Sequence, residues 1–592
     1  MTNFRRHLPA IDSPGYHILL GAVAILILGP LGGITAAYMN FSLGFFIGGQ
    51  VLAGILGSVV TYGYGAEGKH GANYMQTMAA SVAGLSGMAV LVQAMVWLGL
   101  PEPPVWQMVL YFLCIGMLGV GVGMLYTPIL VDRMQLKFPS GFAVANILRA
   151  LTDIRILRTS IAKLGGGTAA GFLGGLGVSL YTPAAGTGFS ASTLGAGMIV
   201  GARIGVPAIV VGAIGLWLTP WLRANGWLDA NAPFRKIGFI AALGMILGAA
   251  IVDMSMLAVA ATRQWRAAKG EKPAPTEDWK RTDRRFLAVW VVFWAAAVFT
   301  MAVYVLHLPA VFVLIALALV FVFLMVNGIS LGISDSNPIS SAFVVTVFIL
   351  AAAGLKEAPV GLLCAAILLI CTSVGGDMQQ DRSTGWRLGT NRMVQFRYQV
   401  IGITMGAVMS VVLARLFLRA YPILSVNQYA HPDTPGIDKW QSAMTFKFVG
   451  ALDGLTHPSP HIMIALGLGV GIGVITEVLR KLIRSRKRWQ VWVKGSRGGY
   501  LTDLLMDCVF LPSPYASSFG GFVEFPVSAW FGGGSMMSSA LQTYAAKRPK
   551  KPGQEELPED MSTMSLVGGG LIAGDSLAAL ALGIWGLMHT VL

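Results

Sequence analysis

Stretches of about 20 apolar residues, the length that carries an α-helix across a bilayer, recur along this chain from residue 18 to residue 590. About sixteen such stretches can be counted, the first over 18–38 and the last over 563–590, each near the spanning length. No block between them is long enough to fold as an ordinary soluble domain. The sequence therefore predicts an all-α polytopic membrane protein of about 16 transmembrane helices. Composition agrees: 55% of the 592 residues are apolar and only 12% charged, with a mean hydropathy of +0.68, far from the charge content of soluble domains. Arg5 and Arg6 before the first stretch resemble the start of a signal peptide, but no small-residue cleavage site precedes the next span, so this segment reads as a retained helix.

The formal net charge of +15 does not point to nucleic acid, because the basic residues concentrate in loops, as the positive-inside rule requires. Loops 263–285 (with Arg263, Arg266 and Lys269), 484–500 (with Arg484, Lys487 and Arg488) and 546–560 (with Lys547, Arg548 and Lys550) are expected in the cytoplasm. Segment 420–460, whose only basic Lys or Arg residues are Lys439 and Lys447, is expected outside. Cys114, Cys364, Cys371 and Cys508 all lie in apolar segments without CxxC spacing, and read as packing residues. No metal site and no cofactor are expected.

Loop 263–285 mixes charges with Gly270, Pro273 and Pro275 and reads as a basic cytoplasmic linker. It divides the chain into transmembrane halves 1–262 and 286–592. The halves look related: GAGMIVGA, with Gly195, Gly197 and Gly201, matches GGGLIAGD, with Gly568, Gly570 and Gly574. Met75-Gln76 parallels Met378-Gln379, and Phe138-Pro139 parallels Phe525-Pro526. Transporters are commonly built from such repeats. Segments 138–152 and 190–220 are where broken or re-entrant helices would be expected.

Polar residues inside apolar segments mark function by default, since a charged side chain at mid-bilayer costs at least about 3 kcal/mol. Asn73, Gln76 and Thr77 open a long apolar helix and are either a helix cap or a solute-facing set. Asp377, Gln379, Gln380 and Asp381 form a second cluster. Two carboxylates four residues apart share one face if the stretch is helical and could exchange a proton; the alternative is a solvated loop whose acids pair with Arg382 and Arg387. A third cluster, Ser334 to Pro338, reads equally as a helix start. Glu524, beside Phe525-Pro526, and Asp575, half-way along its apolar helix where no cap is needed, are candidate proton carriers. Asp253 is intramembrane, whereas Glu477 lies four residues before Lys481 and reads as an ion pair. No GxxxxGK[ST] loop or HExxH pair is present, and no catalytic residue is assigned.

The run GGDMQQDRSTGWRLGTNRMVQFRYQVIG resembles the signature of the oligopeptide transporter superfamily and its yellow-stripe-like branch, with Met378, Gln379, Asp381, Thr384, Gly385, Trp386, Gly389, Gln399 and Gly402 fitting. Ser383 stands where that family has lysine. Asn73 with Gln76-Thr77, Phe138-Pro139-Ser140-Gly141 and Gly570 to Gly574 followed by Asp575 are similar to further family motifs. The resemblance implies a secondary transporter, a proton-coupled symporter of oligopeptides, peptide-like solutes or metal chelates, in the cell membrane (the inner membrane of a bacterium). On that reading Asn73, Gln76, Thr77, Asp377 and Gln379 bind solute, and Asp381, Glu524 and Asp575 couple protons. Its partners are the small solute, protons and the bilayer, with a homodimer left open. The rival is an intramembrane enzyme acting on a lipid-linked substrate, which would turn over in detergent without a gradient.

Overall fold

The computed structural model describes residues 8–42, 49–101, 103–152, 154–180, 189–230, 232–267, 277–334, 337, 339–431, 440, 442–456, 460–523, 525–546 and 562–591. Among these the chain is all helix, with no strand, and ten helices are long and apolar enough to cross a bilayer. It is an all-α polytopic membrane protein. The helices that build its centre are α1 (Gly68–Ser86), α2 (Val105–Thr127), α3 (Pro139–Thr152), α4 (Ile154–Leu180), α5 (Ala191–Val200), α6 (Ala202–Ala224), α7 (Arg235–Ala267), α8 (Ala310–Ser334), α9 (Ala358–Leu388), α10 (Arg392–Ala420), α11 (Pro460–Ser485) and α12 (Thr563–Val591).

Both segments where broken or re-entrant helices are expected depart from a single long span. The stretch 190–220 breaks at Gly201, whose φ of +80° is open to glycine alone at little cost. The result is a short helix, α5, followed by α6. The segment 138–152 becomes α3, a 14-residue helix that at 1.5 Å per residue reaches about 21 Å and cannot span the hydrocarbon core. It starts from Phe138, which is fully buried with φ of +44° and donates its backbone N–H to Gly332 O at the end of α8 (2.9 Å).

Lipid offers no hydrophobic driving force between helices, so close backbone approach supplies much of the packing. Gly167, Gly171 and Gly175 of α4 recur every four residues along one face. They meet Val567, Gly570, Leu571 and Asp575 of α12, while Gly574 of α12 meets Thr168 of α4. Gly244 and Gly248 of α7 meet Gly469 and Val470 of α11 in the same way. The two glycine runs that look related in sequence touch one another, Gly195 of α5 against the backbone oxygen of Gly568. All four cysteines are buried. The linker residues 268–276, the polar residues Asp335, Ser336 and Pro338, Glu524, and the basic run 547–561 lie outside the described residues.

Candidate functional site

Helix α9 runs through the centre of the molecule. Proline in its first turn suits the start of a helix, and Gly389, left-handed at φ +71°, ends it. Val360 to Cys371 is apolar, and Thr372 to Thr384 is as buried as the apolar half except at Asp377, which is partly buried. The cluster is therefore neither a loop nor solvated. Glycine lets α2 close on it: a Cβ on Gly119 would stand 2.9 Å from the Cys371 backbone, and one on Gly123 would stand 3.1 Å from Gly375. The Phe138-Pro139-Ser140-Gly141 motif docks on its far end. A Cβ on Gly141 would stand 2.6 Å from Gln380 O, and Thr384 Oγ1 donates to Gly141 O (2.9 Å).

Asp377 and Asp381 share the face of α9 that meets α1. Asp377 Oδ2 lies against Gly84, and Asp381 Oδ1 accepts from Gln76 Nε2 at 2.5 Å. Gln395 of α10 closes the third side, donating from Nε2 to Thr77 Oγ1 and to Asp381 O, both at 3.1 Å. Asn73, one turn before Gln76, lies well inside α1 and caps nothing. Its amide is fully buried, and neither Nδ2 nor Oδ1 has a hydrogen-bond partner. The structure thus brings Gln76, Thr77, Asp377 and Asp381 to one seam. It does not bring Gln379 there: two residues along the helix turn that amide about 160° away, to Gly328 of α8, where both its polar atoms are buried without partners.

Three residues that the sequence reading did not assign, Gln395, Gln399 and Arg382, complete the centre, and a fourth, Asn146, stands apart on α3. Asn146 of α3 is fully buried with both amide atoms unpartnered; an amide inside FAVANILRA was the available signal. Gln395 and Gln399 stand one turn apart on α10. Arg382 donates from Nη2 to Gln399 Oε1 (3.1 Å) and not to either acid of its cluster. Arg387 turns instead to Ser383 and to Lys137 O (2.9 Å). Buried polar atoms without partners are uncommon in folded proteins, and here Gln76 Oε1, Asp381 Oδ2, Nε and Nη1 of Arg382 and Gln399 Nε2 are all left so along α1, α9 and α10. Such a centre can hold a polar solute by exchanging its free donors and acceptors for those of the solute.

Asp575 lies elsewhere. Its Oδ2 accepts from Ser190 Oγ (2.9 Å), Ser192 N (3.0 Å) and Ser192 Oγ (2.6 Å). Its Oδ1 lies against Gly175. The carboxylate therefore ties the N-terminus of the half-helix α5, where free N–H groups and the helix dipole favour a negative charge, to the seam between α4 and α12. Asp253 accepts from Tyr515 Oη (2.8 Å) and pairs with Lys481, which also pairs with Glu477 at 3.6 Å. Beside them Asp507 and Asp503 gather Arg203, Arg480 and Arg484 from α6 and α11.

The profile of the OPT oligopeptide transporter protein family matches residues 17–585, nearly the whole chain. The chain belongs to the oligopeptide transporter family. That makes it an oligopeptide-type transporter, carrying small peptide-like solutes across a membrane that it crosses many times. No curated protein sequence matches it. In this member of the oligopeptide transporter family the family motifs converge on one helix pair: the Asn73 to Thr77 motif on α1 and the Phe138 to Gly141 motif at the start of α3 each contact the Gly375 to Gly402 stretch over α9 and α10.

Proposed function

We propose that this oligopeptide transporter is a proton-coupled symporter of the cell membrane, built from two related halves. Asn73, Gln76, Thr77 and Asp377 bind its peptide-like or metal-chelate solute, Gln379 standing apart against α8, and Asp381 and Asp575 carry the coupling protons. The observation that supports this most is the carboxylate of Asp381, fully buried in a helix-lined centre with Oδ1 on Gln76 and Oδ2 free of any partner. A carboxyl group there can take a proton when solute arrives and release it when solute leaves. Alternating access moves parts of such a protein around a fixed central site, and Asp575 is suited to link the proton to that movement. Ionised, it draws three donors and the α5 terminus to itself; protonated, it loses the charge that the terminus favours, and the half-helix is freed. Glu524, the third acid assigned to the proton from its place beside Phe525-Pro526, lies outside the described residues.

The reading is tested with purified protein in proteoliposomes, by uptake of short peptides and metal chelates under an imposed pH gradient. Wild-type protein should accumulate solute against its gradient only when the proton gradient favours it. Asp575→Asn keeps an acceptor for Ser190 and Ser192 but cannot titrate. It should bind solute and exchange it at the wild-type level while uphill accumulation is lost. Accumulation by the wild type that ignores the pH gradient would remove the proton from the mechanism, and full accumulation by Asp575→Asn would remove this residue from the coupling.

A further inference from the structure

Arg382 is 1% exposed and is the largest fully buried side chain described. Its guanidinium makes one hydrogen bond, from Nη2 to the neutral amide of Gln399, while Nε and Nη1 have no partner. The neighbouring Asp381 acts on this charge only from beyond contact, and among the described residues no carboxylate stands within ion-pairing distance of the guanidinium. Other inward-facing cations differ. Arg392, 3% exposed, is held by both oxygens of Asp132 at 2.6 and 3.0 Å, Lys481 has Asp253 and Glu477, and Arg203 has Asp503 and Asp507. A buried charge normally requires an opposite charge or full hydrogen bonding, and an unmatched one is strongly destabilising.

We propose that Arg382 is the residue that recognises a carboxylate of the transported solute, through Nε–H and Nη1–H. The proposal rests on the solute centre lying around Asp381, and it adds a substrate requirement: the solute must present an anionic oxygen group to the α9–α10 seam. The position fits that part. Arg382 follows Asp381 directly, and Gln399, which holds its Nη2, stands one turn from Gln395, which reaches Thr77 and Asp381 O. Gln399 Nε2 is itself unpartnered and buried, a second donor for the same oxygen. Guanidinium is suited to this, since its charge is permanent and its donors are fixed in one plane.

Two measurements on the purified full-length protein test this. In the first, tripeptides are compared with their C-terminal amides for binding to wild type and to Arg382→Gln. The free acids should bind the wild type about 10- to 100-fold more tightly than the amides, as expected for a hydrogen bond to a charged group, and Arg382→Gln should bind both forms alike. Equal binding of acid and amide by the wild type, or discrimination that survives in Arg382→Gln, would overturn the proposal. In the second, thermal unfolding is followed for wild type and Arg382→Met with and without acetate and benzoate. Arg382→Met should melt no lower than wild type and should lose a carboxylate-dependent rise in melting temperature that the wild type shows. A much lower melting temperature for Arg382→Met would make the side chain structural and end the proposal, as would a wild type indifferent to carboxylates. If neither form of any peptide binds, the peptide reading falls while the carboxylate response still decides the role of Arg382.

Discussion

Replacing Asp381 by Asn should abolish accumulation of solute against its gradient. One proton moving down a gradient of two pH units releases about 2.7 kcal/mol, which sustains a solute ratio of about 100 across the membrane if one proton accompanies each solute. The Asn variant retains an oxygen for Gln76 Nε2, which now reaches Asp381 Oδ1 at 2.5 Å, so the helix contacts survive, but the group no longer titrates. Its solute ratio should fall to about 1, a loss of about 100-fold. The result separates from that of Asp575→Asn. Because Asp381 lies in the solute centre, its replacement should also flatten the pH dependence of binding, whereas Asp575→Asn should leave that dependence in place. A ratio well above 1 for Asp381→Asn, at wild-type protein levels, would assign the proton to another group.

The second large effect is on folding. Gly574 meets the backbone of Thr168, and Gly171 meets the backbone of Leu571, so a side chain at either position would enter main chain and not a flexible neighbour. Gly574→Leu should therefore separate α4 from α12, costing about 3 kcal/mol or more, and little folded protein should be recovered in mild detergent. Gly177, on the same helix α4, has open space where a Cβ would stand. Gly177→Ala should be neutral or slightly stabilising, by up to about 1 kcal/mol. Detergent-resistant monomer on size exclusion, with melting temperatures, reads both. Recovery of Gly574→Leu at the level of Gly177→Ala would show that the seam tolerates being opened.

Much of the architecture can be read from the apolar runs, because a residue facing lipid has to be apolar whatever it packs beside. The same rule fails at the centre. The stretch 359–374 reads as a span that ends where polarity begins, yet the helix continues to Leu388, since the side chains of Gln380, Asp381, Arg382 and Thr384 face other helices and never meet lipid. Hydropathy cannot distinguish a polar helix inside a bundle from a loop in water. For that reason Arg382 is legible only as a counter-ion to the acids beside it, when it turns to α10. Asp381, Gln76 and Thr77 are legible as a class, amides and acids in the wrong solvent. Their pairing across 305 positions of sequence depends on α1 and α9 running alongside each other, which no local pattern encodes. The segments 138–152 and 190–220 are legible as places for a break, but the exact points, Phe138 and Gly201, are set by single φ angles inside runs of unchanged hydrophobicity.

The polar half of α9 also constrains the order in which the chain can be assembled. A helix entering the bilayer on its own would bring Asp381 and Arg382 with it at about 3 kcal/mol each on insertion scales, with no compensating partner in its own sequence. The partners that accept it are α1, α2 and α3, all synthesised more than two hundred residues earlier, and α8, which shortly precedes it. Gln76 of α1, Gly141 of α3 and the open glycine face of α2 are thus in the membrane before α9 leaves the ribosome, and only Gln395 and Gln399 follow it. The first part of the chain offers the most polar helix of the second its polar and close-packing partners as that helix enters the membrane.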